Sequence, residues 1–478
     1  MTLGYSGASV LNYIIGNRPF RPPAMPEAPL PIDTTLYSNR DLVRLLVPLI
    51  IETALFLAVG TVDTMMIASL GEAAGSSVAL SGQINNVIAC AFAALGTGGA
   101  VVASQALGAK DFRAGRENAN HLLYLALCIG IFFMTPIFLL REPLLRLLFG
   151  ALDPAVMDNA VTYLSITVFT YPFMAGYTAC TALFRAMNAT SISMYNSLML
   201  NMLNLAGNWF FIFILKKGVA GAAISTLISH VLTLAVAVLL LTNKKRPLWL
   251  DFRRRFHLDW KIVRGILFIG VPSSVETALF QLGRLLVVVF IAAYGTTEIA
   301  GNAVAVTCHS IMNMVGLSFC LAYITVVGQS VGTGSEATVR HYIHKMAVWS
   351  QWWYTAWVLI LLPMLPLIIR CFHKYSPEAL HLALVLILAG AFFSTLMWPL
   401  AFCFPNALRA LNDVKYTMTV SVLSMMIVRI GLAWVLTHTF RYGAKGVWAA
   451  MFADWVVRTI FFVHRYRSGK WVALAHLR

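Results

Sequence analysis

From Leu380 to Phe404 the chain carries no Asp, Glu, Lys or Arg. Ala356 to Ile369 carries none either, and Gly265 to Ala293 holds only Glu276 and Arg284. Runs of about 20 apolar residues match the hydrocarbon thickness of a bilayer. Lipid offers the backbone no hydrogen-bonding partner, so regular helix is forced across each run. Composition agrees: 59% of the residues are hydrophobic and 11% charged. Soluble domains carry about 25% charged residues. The solvent for most of this surface is therefore expected to be lipid.

Hydropathy places spans at 42–69, 78–105, 121–140, 159–182, 193–215 and 219–241, then at 265–294, 302–327, 346–369, 379–405, 416–437 and 446–464. The net charge of +16 does not point to nucleic acid, because Lys and Arg crowd between spans. Lys244, Lys245, Arg246, Arg253, Arg254, Arg255, Lys261 and Arg264 form the densest group. Such crowding is the positive-inside pattern. Lys110, Arg113, Arg116, Arg185, Arg340, Lys345, Arg409, Lys415 and the tail from Arg465 sort to the same side. Both termini are thus expected in the cytoplasm. Arg141, Arg146, Arg370 and Lys374 fall on the other side without reversing the bias. Cysteines 90, 128, 180, 308, 320, 371 and 403 show no metal or disulfide spacing and read as packing residues.

Pro22, Pro23, Pro26, Pro29 and Pro31 mark residues 1–40 as a proline-rich cytoplasmic extension of low order. The charged, apolar, small-residue order of a cleaved signal is missing there. The organisation expected after it is a six-helix lobe at 41–242, a basic linker at 243–264, a second lobe at 265–465 and a basic tail at 466–478.

An internal repeat underlies this division. At one fixed offset, Val47-Pro48, Glu52-Thr53-Ala54-Leu55-Phe56 fall on Val271-Pro272, Glu276-Thr277-Ala278-Leu279-Phe280. With no gap, Gly71, Gln105 and Gly108 meet Gly295, Gln329 and Gly332, and Arg185-Ala186 with Asn188 meet Arg409-Ala410 with Asn412. A single-position slip then aligns Gly218 and Gly221 with Gly443 and Gly446. A shift of six helices preserves orientation, so the repeats are parallel and related about the membrane normal, as in transporters with a midplane site. The fold class expected is an all-α polytopic membrane protein of about twelve transmembrane helices in two pseudo-symmetric six-helix lobes.

Ionisable residues inside a span are costly and usually functional. Glu52 and Asp63 stand in the first span, Glu276 and Arg284 in the seventh. Their spacing returns Asp63 to within about 20° of the face of Glu52, about 16 Å along the axis. A carboxyl in low dielectric has a raised pKa and can cycle a proton; with oxygen neighbours it can hold Na⁺. Alternatively it is a protonated acid acting as interhelical glue. Asp63 has Val287 at its repeat position, so one lobe alone does what Asp63 does. Glu52 and Glu276 each follow a helix proline, Pro48 and Pro272, about one turn on. Proline frees a carbonyl and kinks a helix, which suits gating, although an inherited fold constraint would leave the same mark. Asn201, Asn204 and Asn208 form one stripe on the fifth span, and Thr226 follows on the sixth. Their oxygens suit a small hard cation or a proton relay, or equally helix-to-helix glue. Arg284, with Gln281 one turn before it, reads as cleft-lining, a partner for Glu52 or Glu276 or for an anionic substrate group. His230 and His309 read as packing residues, and Phe392, Phe393, Met397 and Trp398 as unassigned cavity or packing groups.

Val62-Asp63-Thr64 before the Gly71 turn, and Ala103-Ser104-Gln105-Ala106-Leu107-Gly108-Ala109-Lys110-Asp111 after the second span, carry a family likeness. So do Gly270-Val271-Pro272, Val327-Gly328-Gln329-Ser330-Val331-Gly332 and the Arg185 and Arg409 turns. Together, over roughly positions 40 to 465, they resemble the multidrug and toxic compound extrusion (MATE) family. The resemblance implies two six-helix lobes around a V-shaped cleft, driven by H⁺ or Na⁺. It implies that Asp63 couples the ion and that Asn204, Asn208 and Thr226 complete its site. Many relatives carry Asp where Asn208 stands; one carboxylate fewer favours protons. Relatives with a C-terminal-lobe ion site place an acid in the tenth helix near Trp398, where this chain has none, and their seventh-helix acid lies about a turn from Glu276.

The function expected is therefore a secondary active antiporter, exporting amphipathic, cationic organic compounds for H⁺, less readily Na⁺, by alternating access. Its expected partners are the bilayer and a small organic substrate, with no cofactor and no nucleic acid. A monomer in the plasma membrane is expected, the inner membrane if the source is bacterial. A lipid-linked precursor flippase of the same broad fold is the nearer rival, with Arg284 its one hint. A polytopic acyl transferase would need a His or His–acid pair in a span and has no use for the repeat.

Overall fold

A computed structural model describes residues 33, 35–150, 153–252, 258–370, 372, 375–475 and 477. The prolines at 22, 23, 26, 29 and 31, the basic residues at 253–255, Cys371 and Lys374 lie outside the described residues. Eleven helices among the described residues are long and apolar enough to cross a membrane. They are α1 (Asn39–Ala68), α2 (Glu72–Gly108), α3 (Phe112–Leu139), α5 (Thr190–Ile214), α6 (Gly218–Leu241), α7 (Trp260–Ala292), α8 (Thr296–Gly332), α9 (Glu336–Arg370), α10 (Pro377–Ala410), α11 (Val414–His438) and α12 (Gly443–Arg467). The expected fourth span, α4, is two shorter helices, Pro154–Thr167 and Tyr171–Ala186, joined by a 3₁₀ turn at Val168–Thr170. Pro172 explains the joint, since it lacks an N–H and its ring crowds the carbonyl of the preceding turn. Asn85 on α2 braces the joint, donating to Thr167 Oγ1 (3.2 Å) and accepting from Tyr171 Oη (2.8 Å).

The backbone itself repeats. Left-handed φ angles recur at the offset of the sequence repeat, at Gly71 and Gly295, Lys110 and Gly334, and Asn188 and Asn412. Past the same single-position slip they recur again at Lys216 and Arg441 and at Gly218 and Gly443. A left-handed residue other than glycine is unfavourable and does not arise by accident. The turns after Arg185 and Arg409 repeat bond for bond: Asn188 N to Arg185 O and Asn412 N to Arg409 O are both 3.0 Å. Ala189 N to Phe184 O and Asp413 N to Leu408 O are both 2.9 Å. Helix starts follow the same offset, Glu72 with Thr296 and Thr190 with Val414.

Packing separates the chain into two compact units, Asn39–Thr277 and Ala278–Arg478, the latter including residues 33 and 35–38. The boundary falls within α7, downstream of the basic linker that the sequence suggests. The physical reason is small residues. A Cβ on Gly98 would meet Ile266 O at 2.5 Å and Gly270 N at 3.0 Å, so α2 and the start of α7 approach backbone to backbone. Ser274 Oγ adds a bond to Ala91 O at 3.2 Å. Within the first unit, Phe92, Leu122, Leu164, Tyr171 and Phe184 form the centre of a core built by α2, α3 and α4. In the second unit α8 is the most enclosed helix, with 72% of its apolar window buried.

The last residues of the expected N-terminal extension are docked within the second unit. Asp33 N donates to Thr338 Oγ1 (3.0 Å) and Tyr37 N to Tyr342 Oη (2.9 Å), while Lys345 Nζ reaches Tyr37 O (3.1 Å). Tyr37 is buried, its ring edge-on to Tyr342. For residues 33 and 35–38 the expectation of low order does not hold, because tyrosine faces and backbone donors anchor them.

Candidate functional site

Asp63 lies on α1 opposite the C-terminal end of the α5 stripe. Asn208 Nδ2 donates to Asp63 Oδ1, and the same nitrogen lies 3.4 Å from Asn204 Oδ1. Asn204 Nδ2 in turn donates to Thr226 Oγ1 at 3.1 Å. Helix geometry explains the convergence. Asn204 and Asn208 are one turn apart, and Gly207 lets α6 close in: a Cβ there would run into Ser225 Oγ. Ser225 Oγ uses the space to donate to Asn204 O at 2.8 Å, which brings Thr226 beside the stripe. Directly after Asn208 the helix widens into a π turn, Trp209–Ile214. Such turns often mark functional positions.

The four residues proposed from the sequence are thus brought together, and the fold adds a fifth. Tyr163 of α4, buried, lies beside Thr226 and within the field of Asp63. Sequence reasoning misses it because a tyrosine in an apolar span carries no distinguishing pattern. Asn208 is fully buried, yet its Oδ1 has no hydrogen-bond partner among the described residues. Buried polar atoms are almost always paired, so an unpaired acceptor beside a carboxylate sets this pair apart. The oxygens available are those of Asp63, Asn204, Asn208, Thr226 and Tyr163. Among the described residues no group of three or more His, Cys, Asp or Glu could hold a metal ion. Asn201, further up the stripe, leaves its Nδ2 unpaired among them.

The remaining sequence-derived residues separate from this group. Glu52 accepts from Ser193 Oγ at 3.0 and 3.2 Å and lies 3.6 Å from Arg185 Nη1. The ion partner of Glu52 is therefore Arg185, in the turn motif shared by both halves. Pro48 sits inside α1, and the carbonyl it frees, Arg44 O, accepts from Thr190 Oγ1 at 3.3 Å. Pro272 sits inside α7, and Glu276, one turn on, is buried. Arg284 is exposed and donates to Gln281 Oε1 at 3.5 Å. His230 Nδ1 donates to the Thr226 carbonyl, 2.8 Å away.

A second polar group, in the Ala278–Arg478 unit, is unforeseen from the sequence. Asp454 and Arg458 on α12 form a buried ion pair at 2.9 Å, 0% and 3% exposed. Ser424 Oγ also donates to Asp454 Oδ1, and Arg458 Nη2 reaches Ser421 O at 3.0 Å. Arg429 of α11, 8% exposed, lies in the field of Asp454, Arg458 and Arg284. Among the described residues its Nε has no hydrogen-bond partner, nor do Trp455 Nε1, Thr459 Oγ1, Asp454 Oδ2 or either ring nitrogen of His309. Aromatic rings wall the group: Phe280 lies 5.5 Å from Arg429 and 5.4 Å from Arg458, and Phe402 lies 5.5 Å from Arg458. His309 stacks on Trp455 at 5.6 Å. The available signal was an Asp and an Arg one helical turn apart inside an apolar span.

Two twinned helical lobes, with ionisable side chains inside helices long and apolar enough to cross a membrane, define a polytopic membrane transporter. A family model named MatE matches residues 48–210 and 272–435, once in each repeat. The chain belongs to the MatE family, and it is a transporter rather than an enzyme. It is 26% identical to the "Uncharacterized transporter YisQ" of Bacillus subtilis, covering 89% of this chain and 93% of that one. It is 24% identical to the "Probable multidrug resistance protein NorM" of Thermotoga maritima, covering 92% and 95%. An outward-facing multidrug resistance MATE family transporter of the MOP superfamily shares the fold with TM-score 0.82 at 20% identity, covering 91% of this chain and 96% of that chain.

Proposed function

We propose that this protein exports amphipathic organic compounds in exchange for protons, and that Asp63 carries the proton. The observation that supports this most is the pairing of a single carboxylate with an amide that can serve either of its protonation states. A charged Asp63 accepts from Asn208 Nδ2, as found. A protonated Asp63 has a hydrogen to donate, and a half-turn of the same amide presents Asn208 Oδ1, which is otherwise unpaired among the described residues. The tie between α1 and α5 thus reverses its donor and acceptor when the proton arrives. Sodium fits less well: with a single carboxylate the group offers a hard cation little charge to hold it.

Loss of charge at Asp63 removes an intramembrane anion and alters what α1 prefers to pack against. The lobes then exchange inward- and outward-facing states, with Pro48 and Pro272 as bends and Glu52 and Glu276 beside them. Proton and substrate favour different states, so each must weaken the other by an equal factor. Relatives with multidrug resistance names support organic export. The basic loops support a plasma-membrane protein with both termini cytoplasmic, and we take the working unit to be a monomer.

Purified protein in vesicles, with pH and Na⁺ gradients imposed separately, tests the reading. A pH gradient alone is expected to drive uphill movement of an amphipathic dye. Movement driven by Na⁺ alone at equal pH would overturn proton coupling.

A further inference from the structure

We infer that the C-terminal lobe holds an anion-binding subsite built on Arg429, and that the exported compounds include aromatic carboxylates or sulfonates. The inference rests on the export reading above and names its substrate class.

The argument begins with charge. Arg429 and Arg458 are both buried within helices that cross the membrane, and among the described residues Asp454 is the one acid whose charge acts within the group. Asp454 is committed to Arg458, whose Nε donates to it at 2.9 Å. Arg429 is left with a planar guanidinium 8% exposed and, among the described residues, no ion pair and an unbonded Nε. An uncompensated charge in a lobe interior is costly, and membrane proteins retain such residues where they serve a ligand. A guanidinium presents paired donors that match the two oxygens of a carboxylate, sulfonate or phosphate.

Donors and walls then narrow the class. Trp455 Nε1 and Thr459 Oγ1, also buried and unbonded among the described residues, supply further hydrogen-bond donors to an anionic head. Phe280, Phe402 and the stacked His309–Trp455 pair offer flat apolar surfaces for an aromatic body. Arg284, exposed on α7, adds a positive charge whose field reaches Arg429. An isolated inorganic anion would leave the rings unused, and a cation would face three arginines. The cationic preference expected from sequence therefore yields here to an anionic or zwitterionic one.

The test is equilibrium dialysis of the full-length protein in detergent against 1-naphthoate and the matched cation 1-naphthylmethylammonium. No ion gradient is present, so the result does not depend on whether Asp63 couples the cycle. Naphthoate is expected to bind about tenfold more tightly than the cation, the effect of one well-made charge-assisted contact. Arg429→Gln is expected to abolish that preference and Arg429→Lys to keep part of it. If Arg429→Gln does not fold, Arg284→Gln, at an exposed position, is expected to lower naphthoate affinity about threefold and leave the cation unchanged. Equal or tighter binding of the cation to the unmodified protein overturns the inference. So does binding of farnesyl pyrophosphate with none of naphthoate, which would assign the subsite to a lipid-linked anion.

Discussion

At position 63 the N-terminal lobe has a carboxylate where the C-terminal lobe has Val287 at the equivalent position of the repeat. At 454 and 458 the C-terminal lobe has an Asp–Arg pair where the N-terminal lobe has Ser229 and Thr233. The same lobes share five left-handed backbone positions at the repeat offset or one position past it. Packing shows the same divergence: Gly316 makes way for Trp398, whose ring occupies the place a Cβ would take, whereas the matching positions hold Phe92 and Met174. Duplication has fixed what the backbone requires and left the interior free. One interior has become acidic and amide-rich, the other basic and aromatic.

If the interiors differ as described, substitutions in the two lobes must have different consequences. Asp454→Ala strands Arg458 beside the already unpaired Arg429 and is expected to destabilise the protein by about 3–5 kcal/mol, read as thermal melting in detergent. An unchanged melting curve would mean that the buried pair is not the lobe's electrostatic keystone. Asp63→Asn is expected to leave melting nearly unchanged but to lower proton-driven export about 100-fold, or about 2.7 kcal/mol. Uphill export surviving in that variant would remove the functional asymmetry. Gly316→Ala forces its methyl into the Trp398 ring and should cost about 2 kcal/mol, again by melting. The smallest effect sharpens the choice of ion. Asn208→Asp adds a second carboxylate, and Na⁺ at about ten times its Kd should then stabilise the variant by about 1.4 kcal/mol, with no such response in the unmodified protein.

Much of the fold is legible in the sequence because lipid leaves few options. Apolar length locates the helices, and the match of Val47-Pro48 to Val271-Pro272 pairs them. The joint in α4 is less visible, since Pro172 lies within an otherwise unbroken apolar stretch. Asp63, Asn204, Asn208 and Thr226 can be picked out because acids and amides are conspicuous against leucine and valine. Arg429, Asp454 and Arg458 stand inside expected spans and are just as conspicuous. A reading directed at acids for a coupling ion gives arginines no role, and only the folded packing reveals that Asp454 serves Arg458 and leaves Arg429 unmatched among the described residues. The division inside α7 is illegible for another reason. It depends on Gly98 meeting Gly270 from far along the chain, and neither glycine announces its partner.

The hydroxyl of Thr190 over the Arg44 carbonyl has a mechanical consequence. In hydrocarbon a bare main-chain oxygen is too costly to uncover, so an ordinary helix cannot swing at mid-length without penalty. A side-chain hydroxyl rotates about its own bond and can follow that oxygen as α1 pivots, which a rigid amide cannot do. If α1 pivots in the proposed exchange of states, Pro48 is where it would swivel. The stretch from Pro48 to Asp63 makes an arm of about 22 Å, so a pivot of about 10° carries the acid about 4 Å sideways.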